Sequence, residues 1–398
     1  MFKWNRNLKV LFFINVSISL SSSLVSPLFP LFLDNLGATV SEISFVLFTG
    51  GVAATIFMVP SGLLSDRFRR RNMLILSSIM SGAAAFYLTT VQSWTQSVFG
   101  IMLFLSAFSI FVPARHTMIA DNADPSVMTT TYSLMNVAWP IGSMIGPALG
   151  GFLADRYGWN YTFYVATLVS LASIIPTYFF KRTYKGDKKR DKKKFKGELF
   201  KRDFIILLIV FSLFQIFASA AMGIMDPVVP LYLTQTFNVD KTTVGFFFSM
   251  GIGVATLLAQ FPSGVLADKY GRKRVLAYSI LPLPFILLLW PYVQNYLFIA
   301  VLYMFIMGLW SMTWSVAVAY LMALTPTLER GVVISIRQAA IRLGFTVGPL
   351  IGGYFWVAHG TKTPFSISAV FFALSLLLIW FLKNSEEATE TPSNKHTF

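Results

Sequence analysis

The stretch PSGLLSDRFRRR, Pro60 to Arg71, returns later in the chain as PSGVLADKYGRK, Pro262 to Lys273. One gapless shift of 202 carries Ser61 to Ser263, Gly62 to Gly264, Asp66 to Asp268 and Arg70 to Arg272. The same shift of 202 returns GSMIGPALGG, Gly142 to Gly151, as GFTVGPLIGG, Gly344 to Gly353. The chain is therefore two copies of one unit, and that repeat sets the architecture before any residue has a role.

The composition says where such units live. The 398 residues are 55% hydrophobic and 12% charged, far from the roughly 25% charged of soluble domains. Apolar runs of about 20 residues, long enough to cross a bilayer, fall near 8–33, 41–65, 73–92, 95–120, 129–154 and 161–180. A second set falls near 204–236, 242–267, 274–293, 295–323, 331–358 and 364–383. The sequence thus predicts an all-α polytopic membrane protein of 12 transmembrane helices in two six-helix pseudo-symmetric bundles. The divisions are 1–180, a basic linker 181–203, 204–383 and a tail 384–398. Lys3, Arg6 and Lys9 precede the first run as in a secretory leader, but the run is too long for one and reads as a retained helix.

A net charge of +15 would suit a nucleic-acid partner, and the placement of the charges argues against one. Of 32 Lys and Arg, 26 fall in the N-tail, at 67–71, in the linker, at 269–274, at Arg330 and in the C-tail, all on one side of the predicted topology. Arg156, Lys241 and Lys362 fall on the other; Arg115, Arg337 and Arg342 lie within or at the ends of helices. The bias places both termini in the cytoplasm and the chain in the cell membrane. With no cysteine and three histidines without ligand spacing, neither a metal site nor a cofactor is expected.

Polar residues in the spans mark the candidate path. Asn15, Ser19, Ser22 and Ser26 share one face of the first helix, and at a shift of 200 Gln215, Ser219, Met222 and Asp226 take the same places in the seventh. Matched polar faces predict a water-accessible cavity, because lipid gives polarity no return. Asp226 is its only carboxylate and the candidate proton site; the alternative is that it caps a helix break before Pro227. Asn136 of the fifth helix matches Gln338 of the eleventh, next to mid-span Arg342; Trp310 and Trp314 form an aromatic face on the tenth. These five residues, with Asn15, Ser19 and Gln215, make up the predicted cavity, apart from the packing stripes of Gly142, Gly146, Pro147 and Gly150 and of Gly344, Gly348, Pro349 and Gly352.

The repeated G-x-x-x-D-(R/K)-x-G-R-(R/K) turn, with twelve spans and a central basic linker, resembles the major facilitator superfamily, particularly its drug/proton antiporter branch. The resemblance covers essentially the whole chain. It implies a cytoplasmic gate in which Asp66 braces the helix starting near Gly331 and Asp268 the helix starting near Thr129. Gly62 and Gly264 would allow close helix approach, and Arg70, Arg71, Gly271, Arg272, Lys273 and Arg337 would complete the gate. Asp121 is a cross-face partner for Arg70. Arg69 replaces the family glycine in the first copy, which predicts a less sharp turn there. The branch's arginine within the fourth helix has no counterpart in 100–107.

The resemblance implies a monomeric secondary transporter that exports a small organic solute in exchange for protons by alternating access. Uptake or facilitated diffusion of an organic anion held by Arg342 is the alternative, and a transporter-shaped sensor a second. No nucleophile–base pair or metal set suggests an enzyme.

Overall fold

The computed structural model describes residues 5–123, 128–181, 202–325 and 330–382, and among these every regular element is helical. The first six helices are Arg6–Asn35, Val40–Arg67, Arg70–Leu88, Trp94–Asn122, Met128–Asn136 continued by Ala138–Arg156, and Trp159–Phe179. The seventh is Arg202–Phe237. The eighth runs as Lys241–Phe248, a π-helical turn Ser249–Ala255 and Thr256–Tyr270. Arg272–Tyr292, Tyr296–Leu324, Arg330–His359 and Thr363–Trp380 complete the set. Twelve crossings return the chain to its starting side, so one end of the helices carries the termini and both turn motifs; the other is the far end.

Among the described residues, eleven helices are long and apolar enough to span a membrane. The third opens on Arg70 and Arg71 and carries Ser77, Ser78 and Ser81, which lowers its hydropathy without shortening it: its 19 residues extend about 28 Å. The serines turn inwards. Ser77 donates to the Ala107 carbonyl at 2.9 Å and Ser78 meets Ser173 at 2.8 Å. Such interhelical bonds hold helices together where lipid supplies no hydrophobic drive.

The paired proline positions diverge. The first helix breaks into a 3-10 turn at Ser26–Leu28, around Pro27, whereas the seventh runs unbroken through Pro227 and Pro230. Asp226 therefore has no helix break to cap, and the capping alternative for it is corrected.

By contact the chain forms two compact groups. One comprises Met1–Gly186, Asp226–Val254 and Pro349–Thr361; the other comprises Asp187–Met225, Ala255–Gly348 and Lys362–Phe398. The first group thus unites the first repeat with the far ends of the seventh, eighth and eleventh helices.

Candidate functional site

Within the first group, glycines on two faces of the fifth helix let other helices reach its backbone. A Cβ at Gly142 would lie 2.5 Å from the Leu20 nitrogen, and one at Gly146 would lie 2.6 Å from the Ser23 Cβ. Gly150 meets the Leu24 carbonyl in the same way, so this stripe seats the first helix. On the other face Gly151 lies against the Lys241 carbonyl, Gly245 against the Pro147 carbonyl and Gly253 against Met144 of the fifth helix. This second crossing joins the fifth and eighth helices at the far end, and Ser249 accepts a hydrogen bond from the Ala148 N–H at 3.0 Å.

A repeat-related crossing lies in the same group. Gly353, the equivalent of Gly151, packs against Ser44 and the Val40 carbonyl of the second helix. The neighbouring Gly352 and Pro349 are buried, and the close approach falls on Gly353. In the second group Gly344 and Gly348 do for the seventh helix what Gly142 and Gly146 do for the first: a Cβ at Gly344 would come within 2.5 Å of the Ile216 carbonyl, and one at Gly348 within 2.7 Å of Gly223.

The fifth/eighth seam carries a charged clasp that sequence reasoning missed. Asp155 accepts hydrogen bonds from the Thr242 N–H at 2.6 Å, the Thr242 hydroxyl at 2.7 Å and the Lys241 N–H at 3.3 Å, with Lys241 Nζ at 3.7 Å. A carboxylate in the last turn of its own helix is disfavoured by that helix's dipole; here the positive N-terminus of the eighth helix compensates. The signal was available in the sequence, because Asp155 falls in the last turn before Gly158, where a carboxylate needs a compensating partner. Asp240 caps that N-terminus, and hydrogen bonds from the Thr243 side chain and N–H hold its carboxyl below the usual carboxylate range.

The predicted polar faces divide. Asn15, Ser19 and Gln215 are buried, and so is Ser219. Ser19 donates to the Trp139 carbonyl at 2.6 Å and the Asn15 amide points at Met135 sulfur, 3.8 Å away. Their placement in an open cavity is corrected: in the first helix these groups hold the bundle together, because a buried polar atom must find a partner nearby. Only the last position opens. Asp226 is exposed between buried stretches 218–225 and 227–233, and its counterpart Ser26 is likewise exposed.

Trp310 is also corrected. It is buried against Phe345 and Phe372, with ring centroids 6.5 and 6.1 Å away, and serves as core. Trp314 remains open. Arg337, assigned to the gate by sequence, lies over the Trp314 ring at 5.6 Å. Gln338 and Arg342 are half-buried on the same eleventh helix, and Asn136 is exposed on the fifth. Asn136 accepts a hydrogen bond from Arg115 at 2.7 Å. Arg115 was the second residue missed: it follows Pro113 on the fourth helix, outside the segment compared with the family's arginine.

The turn motifs differ in detail. Arg70 and Asp121 form an ion pair between the third and fourth helices. Arg71 lies 4.7 Å from the ring of Tyr178, at the end of the sixth helix. Its equivalent, Lys273, donates to the Trp380 carbonyl at 3.0 Å and to the Leu382 carbonyl, capping the twelfth helix. Since Tyr178 and Trp380 are also related by 202, the second basic residue of each motif ties down the last helix of its own repeat. Arg272 is half-buried.

Gly271 turns at φ 89°, while Arg69 takes an extended φ of −60°. The two copies therefore reverse by different backbone routes, and only the second requires glycine. No described atom lies within 4 Å of a Cβ built on Gly264, so the expected close approach there is corrected. Asp268 is exposed. Gly62, Asp66, Thr129 and Gly331 are helical, and of these four only the backbone is described.

Comparison with known proteins follows this geometry. The family model for the Major Facilitator Superfamily matches twice, over residues 11–225 and 211–397. The multi-drug resistance efflux pump PmrA of Streptococcus pneumoniae serotype 4 is 28% identical over 386 residues, covering 94% of this chain and 93% of PmrA. The multidrug resistance protein MdtG of Proteus mirabilis is 26% identical over 398 residues, covering 95% of this chain and 96% of MdtG. A bacterial homolog of the human lysosomal transporter Spinster, in an inward-facing and occupied conformation, superposes with a TM-score of 0.78 at 11% identity over 96% of each chain, a likeness of fold. With two tandem matches, twelve helices and two copies of the turn, this multi-pass membrane protein belongs to the Major Facilitator Superfamily.

Proposed function

We propose that the protein exports small organic molecules from the cell by alternating access, exchanging them for protons, with both termini in the cytoplasm. The carrying observation is the pair of repeat-related seams, Gly151 on Lys241 and Gly353 on Ser44. Repeated transporters rock their halves about a midplane site, and two equivalent glycine crossings at one end suit a closure that must form and part. On this reading 1–180 and 204–383 are the moving halves, 181–203 is the slack between them, and 384–398 is a tail. Asp66 and Asp268 brace the cytoplasmic side when the far seams part. The names of PmrA and MdtG support multidrug export as the direction and cargo class.

Asp226 is the proton carrier in this scheme, as the carboxylate exposed within an otherwise buried stretch of the seventh helix. The test is efflux of a neutral and a cationic dye from vesicles under an imposed pH gradient. Asp226→Asn should abolish gradient-driven flux and retain dye exchange without a gradient. Undiminished pH-driven flux in Asp226→Asn moves the proton site elsewhere; no flux in the wild type rejects transport of these dyes.

A further inference from the structure

A groove of about 400 Å³ runs between the eighth, ninth and tenth helices, lined by Leu266, Tyr270, Val275, Tyr278, Ser279, Leu309 and Met312. All seven belong to the second compact group. The surface around the groove is that of a helix face in lipid. On the ninth helix Tyr278, Leu281, Phe285 and Leu288 recur at helical spacing and are all exposed, as are Val265 on the eighth helix and Val301 and Phe305 on the tenth. A broad surface that is both apolar and open in a membrane protein meets acyl chains.

The groove has the depth and the chemistry of one such chain. Its depth is set by Ser311, which lies between Leu309 and Met312 on the tenth helix and donates to the Thr256 carbonyl at 3.1 Å. Thr256 opens the 15-residue segment that ends at Tyr270, so the groove extends about 22 Å from the turn. That is somewhat more than half of the roughly 30 Å hydrocarbon layer, the depth of one leaflet. Ser279 donates its hydroxyl to the Val275 carbonyl of its own helix at 2.8 Å, which removes the one aliphatic hydroxyl of the lining from competition. Hydrocarbon, a thioether and two tyrosine rings remain, and these suit an alkyl chain.

The end of the groove next to the turn is different. Tyr270 and Tyr278 are 48% and 64% exposed, and rings of this kind sit at headgroup level. Each comes with a cation. Lys269 Nζ lies 5.1 Å from the Tyr270 ring, and Arg274 precedes Tyr278 by one turn on the same face of the ninth helix. Both are exposed, and the acid next to them in sequence, Asp268, sets one negative charge against two positive. Lys273 is occupied elsewhere, by the carbonyls that end the twelfth helix.

We propose that this groove is a binding site for an acidic phospholipid, with one acyl chain along Leu266, Leu309 and Met312 and the phosphate between Lys269 and Arg274. The lipid belongs to the leaflet at the end that carries the termini. The site goes beyond the transport reading and depends on no cargo or driving force.

The experiment uses the full chain in nanodiscs and its lack of cysteine. A bimane label at Phe305→Cys, exposed and one turn from Leu309 on the same face, reads the deep end of the groove without filling it. A label at Leu168→Cys, exposed on the sixth helix of the first group, reads ordinary lipid contact. Each is titrated with phosphatidylglycerol or phosphatidylcholine carrying a doxyl quencher at the end of one acyl chain. A surface cation favours an acidic headgroup by roughly five-fold, so at Phe305→Cys the glycerol lipid should quench at a mole fraction at least roughly five-fold lower. At Leu168→Cys the two lipids should quench alike. Lys269→Gln with Arg274→Gln should abolish the preference, and Leu309→Trp, which fills the groove, should weaken quenching by both lipids at Phe305→Cys alone. Equal quenching by the two lipids at Phe305→Cys, an equal preference at both labels, or a preference that survives the paired Gln substitutions would overturn the proposal. So would quenching by neither lipid at Phe305→Cys, which would show that protein, such as a second copy of the chain, covers the groove. Should Leu309→Trp not fold, the paired substitutions at the two exposed cations decide.

Discussion

Asp155→Asn should loosen the far-end closure. The carboxylate holds the eighth-helix N-terminus through bonds of 2.6, 2.7 and 3.3 Å and an ion pair at 3.7 Å. Hydrogen bonds to a charged group contribute about 1.5–3 kcal/mol each when buried, but the Asp155 side chain is 25% exposed, which screens them. Asparagine keeps one acceptor oxygen and loses the charge, the ion pair, worth at most about 1 kcal/mol, and the favourable term at the helix terminus, about 0.3–1 kcal/mol. The net loss is about 2 kcal/mol, or roughly thirty-fold in the closed-to-open ratio. Because the chain has no cysteine, spin labels at Arg156→Cys and Phe246→Cys report this seam without background, both native side chains being exposed. Pulsed electron resonance should show a longer-distance population that grows in Asp155→Asn. Identical distance distributions in the two chains would refute the clasp.

Three further outcomes follow from the same geometry. Gly151→Ala should lengthen the same label distance, because its Cβ meets the Lys241 backbone and overpacking costs about 1–3 kcal/mol. Gly264→Ala, with open space around it, should instead raise the melting temperature, by the helix-propensity gain of at most about 1 kcal/mol; a fall in melting temperature would show a close neighbour there. Lys273→Met should speed hydrogen exchange at the end of the twelfth helix, since it removes the donor to the Trp380 and Leu382 carbonyls. Unchanged exchange would mean that solvent caps the helix equally well.

The pH dependence of the eighth-helix cap has a definite sign. The Asp240 carboxyl is lowered by its hydrogen bonds from Thr243, so its contribution to stability is present above its unfolded value, about 3.9. It is lost as pH falls through the lower folded value. Wild type and Asp240→Asn should therefore differ in melting temperature at pH 6 and converge in acid. A constant difference across that range would count against a charged cap.

Residues that reason locally or by repetition were legible without coordinates. The shift of 202 between Pro60 and Pro262, and again between Gly142 and Gly344, determined twelve helices and two repeats, because in lipid a chain of apolar runs has almost no choice but to satisfy its backbone as helices. Asp226 could be singled out because a carboxylate in a span must have a reason. Tertiary structure alone decided which side of each helix faced a neighbour. Asn15, Ser19 and Gln215 share a face with exposed Ser26 or Asp226 and are nonetheless buried, since periodicity gives a direction around the axis and cannot say what stands there. It also brought Asp155 to the eighth helix, 86 and 87 residues further along the chain, and set Arg337 on Trp314. Those partners lie on different helices, and no spacing along one helix records which other helix will pack against it.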